Sequence, residues 1–104
     1  MTFKRVVVTG AGALTPIGNN LQQYWEGLKA GKSGAAPITR FDASLFKTKF
    51  ACEVKDFKIE DFMDRKEGRK LDPFAQYAMV VADEAIADAN LPLTELNPDR
   101  VGVI

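Results

Sequence analysis

The hydrophobic and polar positions along this chain fall into three patterns, and each predicts a different element. The first is unbroken. Val6-Val7-Val8 follows Arg5 and runs straight into Thr9-Gly10-Ala11-Gly12. Consecutive β-branched side chains favour extended backbone, and a run without alternation suits a strand covered on both faces. Arg100-Val101-Gly102-Val103-Ile104 repeats the arrangement, a basic residue ahead of an apolar run. The two runs predict parallel strands at about residues 4–11 and 100–104, joined by a long helical crossover that is right-handed by default.

The second pattern is helical. Leu21, Trp25 and Leu28 recur at i, i+4 and i+7, with Asn19 or Asn20 as cap, Gln22 or Gln23 in a capping-box-like position, and Gly31 at C′. Trp25 reads as the packing anchor of this helix. A longer helix is predicted over residues 73–89. Asp72 stands at its N-cap, Pro73 at N1, and Asn90 and Pro92 end it. Phe74, Ala78, Val81, Ala82, Ala85 and Ala89 form its apolar stripe. Gln76, Asp83, Glu84 and Asp88 mark its polar side. The third pattern alternates. Phe50, Cys52 and Val54 share one side of a short, half-buried strand. Ser33-Gly34-Ala35-Ala36-Pro37 reads as loop, and Ile59 to Asp64 as a short helix.

Together these elements describe an α/β unit. Two parallel strands are too few to stand alone, so further strands beside residues 101–104 are expected, and the chain reads as a segment of something longer.

Composition narrows the chemistry. The 104 residues are 46% hydrophobic and 27% charged, which suits a soluble globular unit and excludes a disordered or fibrous one. No apolar run approaches the ~20 residues a membrane span needs, and the basic start lacks the apolar core of a leader. A cytoplasmic protein is the expectation. Fourteen basic side chains balance fourteen acidic ones, which argues against a general nucleic-acid binder. One cysteine excludes an internal disulfide. The absence of histidine removes the commonest general base and the commonest metal ligand, so no Ser-His or Cys-His nucleophile can be assembled from this chain. No metal site and no cofactor are expected. Cys52, in its apolar row, reads as a small buried hydrophobe rather than a nucleophile.

Two stretches carry functional readings. Gly10-Ala11-Gly12 opens a dinucleotide-type G-x-G-x-x-G, but Thr15 holds the third glycine position and Pro16 interrupts the turn where a phosphate-cradling helix would start. Gly10 and Gly12 are read as a structural turn. Further on, Arg65-Lys66-Glu67-Gly68-Arg69-Lys70 places four cations within six positions of a neutral chain. The cluster abuts a helix start, where acidic residues are locally preferred. A solvated charged face and a docking site for an acidic partner both fit it.

Several motifs in one order resemble the start of a β-ketoacyl-acyl carrier protein synthase. They are Val6 to Gly12, Thr15-Pro16-Ile17-Gly18-Asn19, Trp25, Leu28 to Gly34, Phe41-Asp42, Lys49-Phe50-Ala51, Asp64-Arg65-Lys66, Arg69-Lys70-Leu71-Asp72 and Arg100-Val101-Gly102-Val103. The resemblance is to the synthase II type and covers essentially the whole chain. It implies a thiolase-like fold, two α/β halves layered αβαβα, with residues 1–104 forming the N-terminal part of the first half. It also implies a homodimer that performs a decarboxylative Claisen condensation of acyl groups with malonyl-acyl carrier protein in fatty-acid synthesis. Family members use a cysteine, two histidines and a lysine, all downstream of this stretch, so no catalytic residue is expected here and Cys52 does not occupy the nucleophile motif. By the same resemblance Lys66, Arg69 and Lys70, with Arg65, dock the acidic acyl carrier protein, and Gly68 replaces a larger residue and loosens the local helix. The alternative is a non-catalytic module, either a nucleotide-binding α/β unit or a stand-alone carrier-docking protein.

Overall fold

A computed structural model describes residues 1–104. Three α-helices form: α1 (Leu21–Lys29), α2 (Arg65–Gly68) and α3 (Pro73–Asp88). Two three-residue strands, β1 (Ala35–Pro37) and β2 (Phe50–Cys52), pair antiparallel with Ala36 opposite Ala51. Short 3-10 turns at Ile59–Asp61 and Pro98–Arg100 complete the regular structure.

The helix ends follow local chemistry. The Asn20 side chain accepts the Gln23 amide at 2.8 Å, while the Gln23 side chain accepts the Asn19 amide at 2.9 Å. This is a reciprocal cap that holds the entry to α1. Gly31 leaves α1 at φ 63°, so that Lys32 N–H reaches the Gly27 carbonyl and Gly31 N–H the Leu28 carbonyl. Asn90, at φ 48°, ends α3 in the same way, with Leu91 N–H on the Ile86 carbonyl. Pro73 begins α3 as expected. Asp72 stands at the N-cap, but its side chain makes no capping bond.

Two devices tie the pieces together. The Lys55 ammonium donates to the carbonyls of Gly34, Glu53 and Pro16 at 2.9, 3.2 and 3.3 Å, which joins the β1–β2 hairpin to the turn before α1. On the other side, α3 receives the N-terminal segment through its own carboxylates. Glu84 accepts Ala13 N–H at 2.8 Å and Leu21 N–H at 2.7 Å, and Asp88 accepts Ala11 N–H at 2.9 Å. Gly10 and Gly12 make this approach possible. A β-carbon on Gly12 would lie 2.3 Å from the Val81 carbonyl oxygen, and one on Gly10 would lie 2.5 Å from that of Ala85.

Several expectations change against this structure. The parallel strands at 4–11 and 100–104, and the crossover between them, are not formed. Both runs lack regular structure apart from the 3-10 turn at Arg100, and Val6, Val8, Val103 and Ile104 are almost wholly exposed. Parallel strands hold only with ladder partners and cover on both faces, and these runs have neither. The strand that does form pairs with Ala35–Pro37, a stretch that reads as loop because its residues are small and one is proline. Cys52 is exposed rather than buried, since it is Ala51 that β2 turns inward. Trp25 and Leu28 are more than two-fifths exposed, so Trp25 does not anchor α1 in a core. With Leu21 and Ala87 they line an open apolar groove between α1 and α3.

On α3, Phe74 faces solvent, whereas Gln76 and Glu84 lie on the covered side. The sequence stripe is thus rotated, because the covered face is chosen partly by backbone N–H and C=O groups that need partners. Buried positions are few: Gly27, Ile59, Gly68 and Val80. The Cα radius of gyration is 17.6 Å, against about 13 Å for a compact domain of this length.

Candidate functional site

The basic cluster occupies a single short helix and the residues just past it. Asp64 caps α2, its carboxylate accepting Lys66 N–H at 2.9 Å and Glu67 N–H at 3.4 Å. Gly68 is buried, and a β-carbon there would stand 2.7 Å from Ile59 Cγ1. Gly68 therefore seats α2 on the Ile59–Asp61 turn rather than loosening it. From the other side, the Gln76 amide of α3 donates to the carbonyls of Gly68 and Leu71 at 2.8 and 3.2 Å. The last carbonyl of α2 is thereby satisfied, and the helix is fixed against α3. A four-residue helix is unstable alone. Here a cap, a buried glycine and a borrowed amide hold it.

This mounting leaves Arg65, Lys66, Arg69 and Lys70 all exposed. They are not equivalent. Lys70, just past the end of α2, brings Nζ to 2.7 Å from Oε1 of Glu67, three residues back. Arg65 Nε lies 3.6 Å from Glu60 Oε1. Lys66 and Arg69 have no ion-pair partner. The sequence reading grouped the four by charge and missed the two carboxylates; the Glu67–Lys70 spacing of three residues was the signal available for one of them.

A second polar set flanks the same part of α3. Arg40 donates Nη2 to the Tyr77 hydroxyl at 2.7 Å, which raises the guanidinium pKa further. Tyr77 packs edge-on to Phe57, which stacks on Phe62. The Thr39 hydroxyl donates to Glu53 at 2.8 Å, and this bond holds the Glu53 carboxyl below the usual glutamate range.

The glycine turn behaves differently from a phosphate cradle. The amides of Ala11 and Ala13, which would face a phosphate, donate instead to Asp88 and Glu84. Two carboxylates at that point repel an anion. Gly10 and Gly12 thus serve a structural approach to the flank of α3. No group of three or more histidine, cysteine, aspartate or glutamate side chains is arranged to hold a metal ion, and no helix is long and apolar enough to cross a membrane.

The backbone arrangement is that of a ketosynthase segment. It matches the solved structure titled "The ishigamide ketosynthase/chain length factor" with a TM-score of 0.78 and 40% identity, over 88% of this chain and 23% of that one. The model of the β-ketoacyl synthase N-terminal domain matches residues 3–104, and the chain belongs to that family. Among curated relatives, 3-oxoacyl-[acyl-carrier-protein] synthase 2 of Synechocystis is 54% identical over 101 residues, covering 97% of this chain and 24% of the relative. The protein of the same name from Coxiella burnetii is 50% identical over 103 residues, covering 99% of this chain and 25% of its own length. That from Staphylococcus aureus strain COL is 49% identical over 100 residues, covering 96% of this chain and 24% of the relative. The chain thus spans about a quarter of the length of these relatives.

Proposed function

We propose that this chain is the N-terminal part of the first thiolase-like half of a β-ketoacyl-acyl carrier protein synthase. The protein joins acyl groups to malonyl-acyl carrier protein by decarboxylative Claisen condensation in fatty-acid synthesis. The observation that carries this reading is the near-complete alignment, at about half identity, with synthases of that name. The segment itself supplies scaffold and docking. It holds no histidine, and its one cysteine sits exposed on a three-residue strand. The nucleophile and its activating groups therefore belong to the remaining three-quarters of such a synthase.

The exposed apolar runs Val6-Val7-Val8 and Val101 to Ile104, and the open groove beside Trp25, are the surfaces that the rest of the sheet and its helices cover in this reading. Lys66 and Arg69, with Lys70 and Arg65, form the docking patch for the acyl carrier protein. A small cationic patch steers an anionic partner without net positive charge on the whole chain. The protein works as a homodimer in the cytoplasm. The carboxylates that fill the glycine turn leave a nucleotide-binding module without support.

The test is a condensation assay with acyl- and malonyl-carrier protein. The full-length synthase turns over, and a polypeptide of residues 1–104 alone does not. Turnover by the segment alone would refute the division of labour.

A further inference from the structure

The four cations of the candidate docking patch differ in how they are held, and that difference carries a consequence for binding. Lys70 and Arg65 each face a carboxylate of the same surface, Glu67 at 2.7 Å and Glu60 at 3.6 Å, while Lys66 and Arg69 face none. Glu67 stands in the middle of the cluster, on α2 between Lys66 and Arg69 in sequence. Its carboxylate has one partner, the Lys70 ammonium, and the main supports of α2 lie elsewhere. The cap is provided by Asp64, the seat by Gly68 and the tether by Gln76. A carboxylate that is not among the main supports of the helix and is bound to a candidate docking cation is placed to compete with whatever anion that cation is meant to receive.

We propose that Glu67 is an internal competitor for the acidic partner. It occupies Lys70 in the free protein, and a carboxylate of the acyl carrier protein must displace it. Lys66 and Arg69 make first contact, because nothing on the surface neutralises them. Lys70 joins only after the exchange. The competitor keeps the patch from holding its partner too tightly, which suits a surface that has to release one carrier and accept the next. The pair is two-thirds exposed, so the exchange costs little and is fast, as surface ion pairs are weak. This inference rests on the docking reading of the patch.

The experiment is a double-mutant cycle on the full-length protein, reading the dissociation constant for purified acyl carrier protein at low ionic strength. E67Q is expected to tighten binding about 2- to 5-fold, with the gain lost at high salt. K70M alone is expected to weaken binding less than K70M made in the E67Q background, because only there is Lys70 wholly available. That non-additivity separates a competitor from a mere extra negative charge. Additive effects of E67Q and K70M, or no tightening by E67Q, would overturn the proposal. The double reversal K66E/R69E tests the underlying reading separately. Unchanged affinity in that variant would overturn docking itself, whereas lost affinity together with an additive cycle would overturn only the role given to Glu67.

Discussion

Glu53 and Thr39 show how a single side-chain bond sets a charge at the surface. The Thr39 hydroxyl donates to the Glu53 carboxylate at 2.8 Å, and the Thr39 amide lies 3.2 Å from the same oxygen. Hydrogen bonds to the ionised form favour it, so the carboxyl titrates below the usual glutamate range. Because the folded pKa is the lower one, the stabilisation is present above the unfolded pKa and is lost as pH falls through the folded value. T39V is expected to move the Glu53 midpoint up toward that of an ordinary glutamate, read by NMR titration of the side-chain carbonyl. An unmoved midpoint would show that the hydroxyl is not the cause. At this scale the sequence was uneven as a guide. Gly10 and Gly12 read in sequence only as a turn, and the close approach to α3 that their missing side chains permit is not legible there. Cys52 was misread, because alternation assigns two faces to a strand without saying which face is covered.

Elements were legible where their ends carry local chemistry. Asn20, Gly31, Pro73 and Asn90 all sit at the helix boundaries that their own backbone or side-chain preferences dictate. The faces of those helices were less legible. A helical wheel sends Gln76, Glu84 and Asp88 to water, yet each accepts from or donates to backbone of another segment. Their partners, N–H groups of the N-terminal segment and the start of α1 and C=O groups at and just past the end of α2, lie outside α3, and the periodicity of one helix does not weigh them. Glu84 carries the clearest consequence, since its two oxygens serve Ala13 and Leu21 at once. E84A leaves both partly buried amides unpaired, and a loss of roughly 1–3 kcal/mol is expected in urea unfolding of the full-length protein. E84Q keeps one acceptor oxygen and should fall between. Equal stabilities for wild type and E84A would mean that water satisfies both amides.

For the whole molecule, the expected α/β class is supported by the match to a solved ketosynthase, while the parallel pair at 4–11 and 100–104 is not formed in this structure. Strand pairing is a property of neighbours, and two runs cannot pair as a covered parallel sheet without flanking strands and helices on both faces. Helix α2 differs. Its cap, its seat on Ile59 and its tether to Gln76 all lie within residues 59–76, so its geometry is complete within this segment. The central claim, that these cations serve a carrier protein rather than the fold, is tested most directly by one measurement. It is the ratio of kcat/KM for malonyl-acyl carrier protein to that for a small malonyl thioester, in the full-length protein and in K66E/R69E/K70E. The account predicts a fall of about 10- to 100-fold with the carrier substrate, from lost steering and docking, and little change with the small thioester. Equal losses on both substrates, or none on either, would contradict it.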